Sequence, residues 1–394
     1  MGIRLILDID AIRHPLTGIG RYAYELARGL NGHPLVSSAR FMGGGRWVEP
    51  PSPDDEALTA GPDGESRSSL TMALATRLAS ISPIMAGYRQ WRSLLAWRRL
   101  SGFSDHLYHS PNYFLPPCSG PAVATIHDLS VIRYPQFHPA ERRALFEHEW
   151  PRTLARAQYL ITDSESIRRE VIEHCGWPAD RIGAIPLGVG RSFHPRSTTE
   201  LASCVRIYGL TPDAYCLCVA TIEPRKNITG LIEAHARLPV ALQHRFPLLL
   251  IGARGWNSAA IHERIEAARS GGTLRYLEYV DQSDLPCLIA GARLFVFPSF
   301  YEGFGLPPLE AMACGVPLVT STCPTLSELV QGVALQVDPL DIDALRQAMQ
   351  RGLEDDTWRR EARAMGLKRA AHYTWGACVE QTIRLYGRVS DGHH

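Results

Sequence analysis

Two glutamates flank a glycine-containing loop in the second half of the chain. Glu302 precedes Gly303–Gly305, and Glu310 comes after seven intervening residues, inside a predicted helix that Pro307 can begin. Unpaired N–H groups at such a helix start bind anions, and glycine lets a ligand approach the main chain. The pattern predicts a phosphate site with one carboxylate for a sugar and one for a ribose. The alternative is a capping carboxylate plus a surface helix residue.

Two adjacent cations, Arg225 and Lys226, follow a predicted strand and precede a helix. At the carboxyl end of a strand they would face a ligand cleft, where a diphosphate needs about two positive charges. Arginine offers a fork for phosphate oxygens and lysine a point charge. Lys226 is one of two lysines in the chain, the other being Lys368. The alternative, an exposed basic pair at a helix start, would place like charge against the helix dipole.

In the first half of the chain, His127 and Asp128 directly follow the predicted strand Ala122–Ile126. A histidine at this edge can contact a bound sugar, whereas Asp128 is typical of a helix cap. An ordinary loop residue is the alternative for His127. Gly18 begins a G-x-G-x-x-A match, but seven residues separate it from Asp10. The segment therefore predicts a loop that approaches a phosphate, without implying NAD.

Asp8 and Asp10 form a D-x-D pair at the end of the first predicted strand. Such a pair can hold a metal ion on a nucleotide diphosphate. No cluster of further metal-ligating residues lies near it in the sequence, so we predict no metal site.

Composition excludes several classes of protein. The chain has 394 residues, 45% of them hydrophobic, and a formal net charge of +1, so it is neither disordered nor basic enough for a nucleic-acid partner. Its nine cysteines, an odd number without a C-x-x-C pair, argue against a disulfide scaffold or zinc ribbon. No leader or membrane-spanning run is visible. These features predict a cytoplasmic enzyme of two domains with reduced thiols.

Short apolar runs alternate with helix-period segments along the chain, which is the pattern of parallel βαβ units. The Pro- and Gly-rich stretch 186–195 breaks this alternation. We predict an α/β fold with two doubly wound parallel-sheet domains, residues 1–190 and 191–372, that face a central cleft at the carboxyl ends of their strands.

Residues 66–104 contain six arginines and no acidic residue, with Trp91 and Trp97 between them. A basic amphipathic helix with tryptophans can lie on an anionic membrane surface. A solvated helix that covers the sheet is the alternative.

Five segments resemble one enzyme family and occur in the order found there. They are Gly18–Tyr22, Ile126–Leu129, Ile185–Val189, Glu223–Asn227 and Glu302–Glu310. The chain resembles, over nearly its whole length, the retaining nucleotide-sugar glycosyltransferases of family four, which have the GT-B architecture of two Rossmann-like domains. The Glu-x7-Glu segment together with Pro-Arg-Lys-Asn is the specific part of this resemblance.

The resemblance implies a donor bound mainly by the C-terminal domain and an acceptor bound mainly by the N-terminal one. Arg225 and Lys226 would bind the diphosphate and stabilise it as it leaves. Glu302 would bind hydroxyls of the transferred sugar and Glu310 the ribose, with His127 beside the sugar ring. These five side chains, with the main chain described next, form the expected active site.

Main-chain N–H groups of Phe304, Gly305 and Leu306 would add phosphate contacts, and Gly18 would close from the other domain. The resemblance further implies that α configuration is retained by front-face attack, in which a donor phosphate oxygen takes the acceptor's proton. It implies no cofactor besides the nucleotide-sugar co-substrate, and no metal. Residues 373–394 would form a helix that crosses back to the first domain.

The segments Thr221–Asn227 and Pro298–Gly305 look like bacterial mannosyltransferases of surface-polysaccharide or lipopolysaccharide assembly. This implies transfer of mannose from GDP-mannose to a lipid-linked glycan, by a cytoplasmic protein that is peripheral on the inner membrane. A UDP-sugar, dTDP-sugar or GDP-deoxyhexose donor is an alternative, as is a nucleotide-sugar epimerase of the same fold. A pyridoxal-phosphate phosphorylase is disfavoured because neither lysine suits a Schiff base. A non-catalytic nucleotide-sugar binding protein is the third class.

Overall fold

The computed structural model describes residues 2–13, 16–51 and 97–391. In this part of the chain, strands assemble into two sheets, one of seven strands and one of six. The strands are β1 (Ile3–Asp8), β2 (Val36–Gly43), β3 (Arg46–Val48), β4 (Leu107–Ser110), β5 (Ala122–Ile126), β6 (Tyr159–Thr162), β7 (Ile182–Ala184), β8 (Cys216–Val219), β9 (Leu248–Ile251), β10 (Leu274–Leu277), β11 (Leu294–Phe297), β12 (Leu318–Ser321) and β13 (Leu335–Val337).

Helices connect these strands and cover both sheets. They are α1 (Gly18–Leu30), α2 (Ser130–Arg133), α3 (Ala140–Arg156), α4 (Glu165–Cys175), α5 (Thr198–Ile207), α6 (Ile228–Ala236), α7 (Val240–Arg245), α8 (Ala259–Arg269), α9 (Leu285–Ala290), α10 (Leu306–Ala313), α11 (Pro324–Val330), α12 (Ile342–Glu354), α13 (Asp356–Ala370) and α14 (Trp375–Asp391).

Each sheet is wound in two directions from its first strand. The first has the order β3-β2-β1-β4-β5-β6-β7 and is parallel except for the β2–β3 pair, and the second is parallel throughout, with the order β10-β9-β8-β11-β12-β13. The predicted α/β fold with two Rossmann-like domains is confirmed. In such sheets ligands bind at the carboxyl ends of the strands where the order reverses. That point lies between β1 and β4 in one domain and between β8 and β11 in the other.

The central strands are buried along their whole length. Every residue of Ala122–Ile126, Leu248–Ile251 and Leu294–Phe297 is shielded from solvent. Helices on both faces of a parallel sheet require apolar side chains in both directions, so such strands are continuous apolar runs without alternation. This explains why the sequence marks these strands so clearly.

The chain crosses between the two domains twice, and the two crossing segments touch. After α13 the chain returns to the first domain, where the hydroxyl of Tyr386 lies 2.5 Å from Nδ1 of His109. The second crossing pairs with the first, because the N–H of Val189 donates to the carbonyl of Tyr373 at 3.1 Å. A Cβ at Gly188 would lie 2.1 Å from the nitrogen of Trp375, so this contact requires glycine. The domain limits 190/191 and 372/373 stay predictions.

Most of the basic stretch 66–104 lies outside the described residues. At its described end, Trp97 is 45% exposed and Arg98 is also exposed. Among the helices the structure describes, none is long and apolar enough to cross a bilayer. The membrane contact of this stretch stays a prediction.

Candidate active site

The predicted cations and the first predicted glutamate meet at one point because their loops follow neighbouring strands. Arg225 and Lys226 come after β8, Glu302 comes after β11, and these two strands pair in parallel. The Nζ of Lys226 lies 2.6 Å from Oε1 of Glu302, and Nη1 of Arg225 lies 3.4 Å from its Oε2. A hydrogen bond of 2.9 Å from the Phe300 N–H to the Arg225 carbonyl joins the two loops.

Asn227 fixes the turn that presents the two cations. Residues Pro224–Lys226 form one 3-10 turn that ends at Asn227, whose φ of 54° is left-handed. Asparagine tolerates this conformation better than most residues. Its side-chain amide donates to the carbonyls of Pro298 and Pro339, which ties the turn to the Glu302 loop.

Arg225 lies among three carboxylates. Its guanidinium donates to Oε1 of Glu223 at 2.8 Å and 3.1 Å, and Asp128 of the first domain approaches Nη1 at 3.8 Å, besides the contact with Glu302. Burial alone would lower the pKa of Arg225, but these carboxylates raise it. Burial likewise opposes ionisation of Glu302, yet Lys226 and Arg225 hold the pKa of that carboxyl below its ordinary value. In this buried network Arg225 and Glu302 therefore stabilise each other's charge.

The glycine-containing loop has the shape of an anion site. Gly305 has a φ of 107° and precedes α10 without any side-chain cap, and a Cβ there would lie 2.7 Å from Leu326. The N–H groups of Phe304, Gly305 and Leu306 donate to no residue that the structure describes. The helix start thus keeps its donors for a ligand. Pro307, in the first turn, has no N–H to contribute.

Three segments of the first domain close against this helix start. A Cβ at Gly303 would lie 1.9 Å from the carbonyl oxygen of His127, and the hydroxyl of Ser164 donates to the Gly303 carbonyl at 2.9 Å. A Cβ at Gly18 would lie 3.4 Å from a methyl of Leu306. The structure therefore brings Gly18, His127 and the Glu302 loop together, as the sequence predicts.

Both ring nitrogens of His127 are already bonded. Nδ1 lies 2.7 Å from Oδ2 of Asp163, and Nε2 lies 2.8 Å from the carbonyl oxygen of Pro111. The Pro111 carbonyl can only accept, so Nε2 carries a proton, and Nδ1 shares a second proton with the carboxyl of Asp163, whose pKa burial raises. Burial opposes a positive charge on the ring, but Asp163 raises the pKa of His127 overall. The geometry gives His127 a positioning role for the loop beside Gly303, and its contact with a sugar stays a prediction.

Glu310 faces a large cavity between the domains. The cavity has a volume of about 1380 Å³, and its lining includes Arg21, Asp281, Glu310 and Trp375. Glu310 is half-buried, and burial raises its pKa to about 8, with Arg21 partly opposing the shift. At neutral pH the carboxyl is largely protonated and can both donate and accept a hydrogen bond, which suits a diol such as a ribose.

The remaining sequence candidates have internal roles. Oδ1 of Asp8 accepts the N–H of Asp10, Oδ2 of Asp8 accepts the hydroxyl of Tyr108, and Oδ1 of Asp10 accepts the N–H of Gly44. No group of three metal-ligating side chains occurs in the described part of the chain.

Sequence reasoning missed Glu223 and Asp163 as residues of the site and predicted Asp128 only as a helix cap, and Oδ1 of Asp128 does accept the N–H of Ser130, the first residue of α2. Asp128 and Glu223 pair with Arg225, and Asp163 pairs with His127. Asp163 follows β6 directly, so its position at a strand end was the signal that could have found it.

Comparison with known proteins identifies the chain. Residues 57–192 match the family model "Glycosyltransferase Family 4", and residues 208–369 match "Glycosyl transferases group 1". The chain is 37% identical over 384 residues to the O-antigen chain mannosyltransferase B of Escherichia coli, which covers 98% of this chain and 99% of that protein. The chain belongs to the GT-B glycosyltransferases.

Other relatives of this glycosyltransferase agree with that family. It is 34% identical over 280 residues to a serotype-specific mannosyltransferase WbdA of Escherichia coli, over 68% of this chain and 33% of that one. Sucrose-phosphate synthase from Thermosynechococcus elongatus has a TM-score of 0.70 at 23% identity, over 99% of this chain and 100% of that one. WaaG, a glycosyltransferase involved in lipopolysaccharide biosynthesis, has a TM-score of 0.72 at 15% identity, over 97% and 99%. The last two show the fold alone.

Proposed function

We propose that this glycosyltransferase transfers mannose from GDP-mannose, with retention of α configuration and without a metal, to a hydroxyl of a lipid-linked glycan in surface-polysaccharide synthesis. The observation that carries the proposal is the ion network of Lys226, Arg225 and Glu302 beside the uncapped start of α10. Two relatives, an O-antigen chain mannosyltransferase and a serotype-specific mannosyltransferase, support mannose as the sugar and surface-polysaccharide synthesis as the pathway.

The site is built to receive a diphosphate and stabilise its departure. Lys226, Arg225 and the N–H groups of Gly305 and Leu306 would surround the phosphate oxygens. When the bond between the sugar C1 and the phosphate oxygen breaks, its electron pair remains on the diphosphate. Fixed cations and main-chain dipoles in a buried site stabilise that developing charge without reorganising.

Retention needs a route that keeps the acceptor on the face of the leaving group. Glu302 is bonded to both cations, so its carboxylate is suited to sugar hydroxyls and not to attack on C1. The acceptor oxygen would form its bond to C1 as the phosphate bond breaks, and the acceptor proton would pass to the departing phosphate oxygen. The balance of this step requires no protein base.

The base of the nucleotide would lie in the cavity next to Glu310. Asp281 lines the same cavity, and its Oδ1 accepts both the N–H and the hydroxyl of Ser283, which lowers its pKa and keeps it charged. Guanine offers two adjacent N–H donors to a carboxylate, whereas uracil and thymine offer one N–H between two carbonyls. This chemistry favours a GDP-sugar.

A lipid-linked acceptor would bring the first domain to a membrane. Trp47 and Trp97 are exposed by 37% and 45%, and Arg40 lies over the ring of Trp47. Exposed tryptophans among arginines are suited to an anionic lipid interface. Sedimentation with vesicles containing phosphatidylglycerol, compared with neutral vesicles, tests this part of the proposal.

The central experiment measures protection against thermal unfolding by GDP-mannose, GDP-fucose, UDP-glucose and dTDP-glucose, because a ligand that binds the native state raises its stability. We expect GDP-mannose to raise Tm most. A larger shift with UDP- or dTDP-sugars would refute the proposed base. Anomeric coupling constants of the product test retention, and incubation without acceptor tests the epimerase alternative through release of a rearranged sugar. Unchanged activity in EDTA is expected for metal independence.

A further inference from the structure

A group of aromatic side chains joins the two domains beside the phosphate-binding loops. The rings of Phe137 and Phe300 stack at 5.8 Å, and the imidazole of His138 lies 5.7 Å from the indole of Trp256. In both pairs one residue comes from each domain. We call this group the aromatic cluster; its members are Tyr134, Phe137, His138, Trp256, Phe300 and Tyr301.

The aromatic cluster adjoins the ion network. Phe300 donates its N–H to the carbonyl of Arg225 at 2.9 Å. On the other side, a Cβ at Gly255, next to Trp256, would lie 3.1 Å from Cβ of Glu223. A ligand on the cluster would thus be a neighbour of a diphosphate held by Arg225.

Three polar atoms of the aromatic cluster are buried and form no short, well-aligned hydrogen bond with a described residue, although the main chain of Ser130 approaches the His138 ring. They are Nδ1 and Nε2 of His138 and Nε1 of Trp256. His138 is only 4% exposed, and burial lowers its pKa to about 4. The neutral ring therefore offers one donor and one acceptor, and the indole offers one donor. Buried polar groups nearly always have partners, so these three indicate a ligand with hydroxyl groups.

The side chain of Arg142 covers the indole of Trp256 and can be displaced. The guanidinium of Arg142 lies 4.7 Å from the centre of the Trp256 ring, and its residue is exposed and forms no ion pair with a carboxylate of the described residues. Trp256 is half-buried, and a single cation–π contact without a carboxylate partner is a weak interaction. A pyranose has an apolar face of similar extent and can occupy the same face of the indole.

We propose that the aromatic cluster is the acceptor subsite: the terminal pyranose of the acceptor glycan stacks on Trp256 in place of Arg142, and His138 and the indole N–H bind its hydroxyls. The proposal rests on the proposed glycosyl transfer and adds the residues that hold the acceptor. The transferred sugar of the donor has the same chemistry, so the experiment must separate the two sugars.

The test measures KM for acceptor and donor separately. GDP-mannose is the donor, and octyl glycosides of mannose, N-acetylglucosamine and galactose are the acceptor probes. For Trp256→Phe and His138→Ala we expect at least a roughly ten-fold rise in acceptor KM, the loss of about one good hydrogen bond, with donor KM within about two-fold. Arg142→Ala should lower acceptor KM by about three-fold because the cover is removed. Arg143→Ala, an exposed neighbour on α3, is the control and should change neither.

Two outcomes would overturn the proposed acceptor subsite. A rise in donor KM alone would assign the aromatic cluster to the transferred sugar, and unchanged constants in Trp256→Phe and Arg142→Ala would make it a packing contact. Arg142 is exposed, so its variant stays informative if His138→Ala fails to fold. Absence of GDP release by the wild-type protein with every probe would instead refute the proposed function. The two failures are thus distinct.

Discussion

Oε2 of Glu328 lies 2.7 Å from the hydroxyl of Ser166 across the boundary between the two domains. The same carboxylate accepts the N–H groups of Glu165 and Ser166 at 2.9 Å and 2.8 Å. A side chain of α11 in the second domain therefore caps the start of α4 in the first. Because this cap joins two domains, it stabilises their closed arrangement as well as the helix.

Replacing Glu328 by alanine should loosen that closure. Loss of an N-terminal cap costs about 0.5–2 kcal/mol, and here that loss would weaken the contact between the two domains. We expect a larger radius of gyration by small-angle X-ray scattering and a higher KM for both substrates. Glu361→Ala, at an exposed position of α13, is the matched control. An unchanged radius of gyration in the Glu328 variant would contradict a role in closure.

Lys226→Ala should lower kcat by about 10²–10³-fold, as expected for loss of one group that stabilises developing charge. Its Nζ lies 2.6 Å from Glu302, so the variant also leaves that buried carboxylate with Arg225 alone. Lys368→Ala, the other lysine of the chain and an exposed one, should keep wild-type kcat. Equal kcat values for the two variants would remove the phosphate role of Lys226.

Glu310→Gln should change the dependence of stability on pH. The pKa of Glu310 is raised from 4.5 to about 8, so between these values the folded chain keeps a proton that the unfolded chain releases. Wild-type stability from this group therefore falls as pH rises through that interval. Glutamine cannot ionise. In urea titrations, the free energy of unfolding of the variant relative to that of the wild type should therefore increase from pH 5 to pH 8.5.

Glu310→Ala, which removes both the donor and the acceptor of the carboxyl, should bind the donor more weakly, with a higher KM for the nucleotide sugar and nearly unchanged kcat. Glu361→Gln is the control for the pH titration and Glu361→Ala is the control for the donor KM. A parallel pH dependence in wild type and Glu310→Gln would show that Glu310 is not the group responsible.

Gly303→Ala should abolish most activity and lower Tm, because the new Cβ would lie 1.9 Å from the His127 carbonyl oxygen. That oxygen is main chain and cannot move without displacing its loop. Gly387→Ala is the control, since a Cβ there meets nothing within 4 Å, and alanine in a helix stabilises by about 0.5–1 kcal/mol relative to glycine. Wild-type kinetics in Gly303→Ala would show that the loops do not need this contact.

Buried strands were the most predictable part of the fold. Ala122–Ile126 has the predicted limits, because strands covered on both faces are continuous apolar runs. The helix Asp356–Ala370 is hard to predict from the sequence. Its buried residues are Ala362, Gly366 and Ala370, and such small side chains give little apolar periodicity to recognise.

The approach of Arg225 and Lys226 to Glu302 was predictable, because loops after neighbouring parallel strands share one edge of a sheet. The bonds that occupy both nitrogens of His127 were not. They depend on the direction of the ring and on the positions of Asp163 and the Pro111 carbonyl, which no spacing along the chain encodes.

The hydrogen bond between Val189 and Tyr373 restricts how the molecule can open. Two crossing segments that are hydrogen-bonded to each other allow one domain to rotate about the line through them. They resist twisting and sliding of one domain relative to the other. Gly188, Val189 and Thr374 also line the cavity that contains Glu310. A nucleotide bound there would contact the two crossing segments. Binding of the co-substrate and the angle between the domains must therefore influence each other.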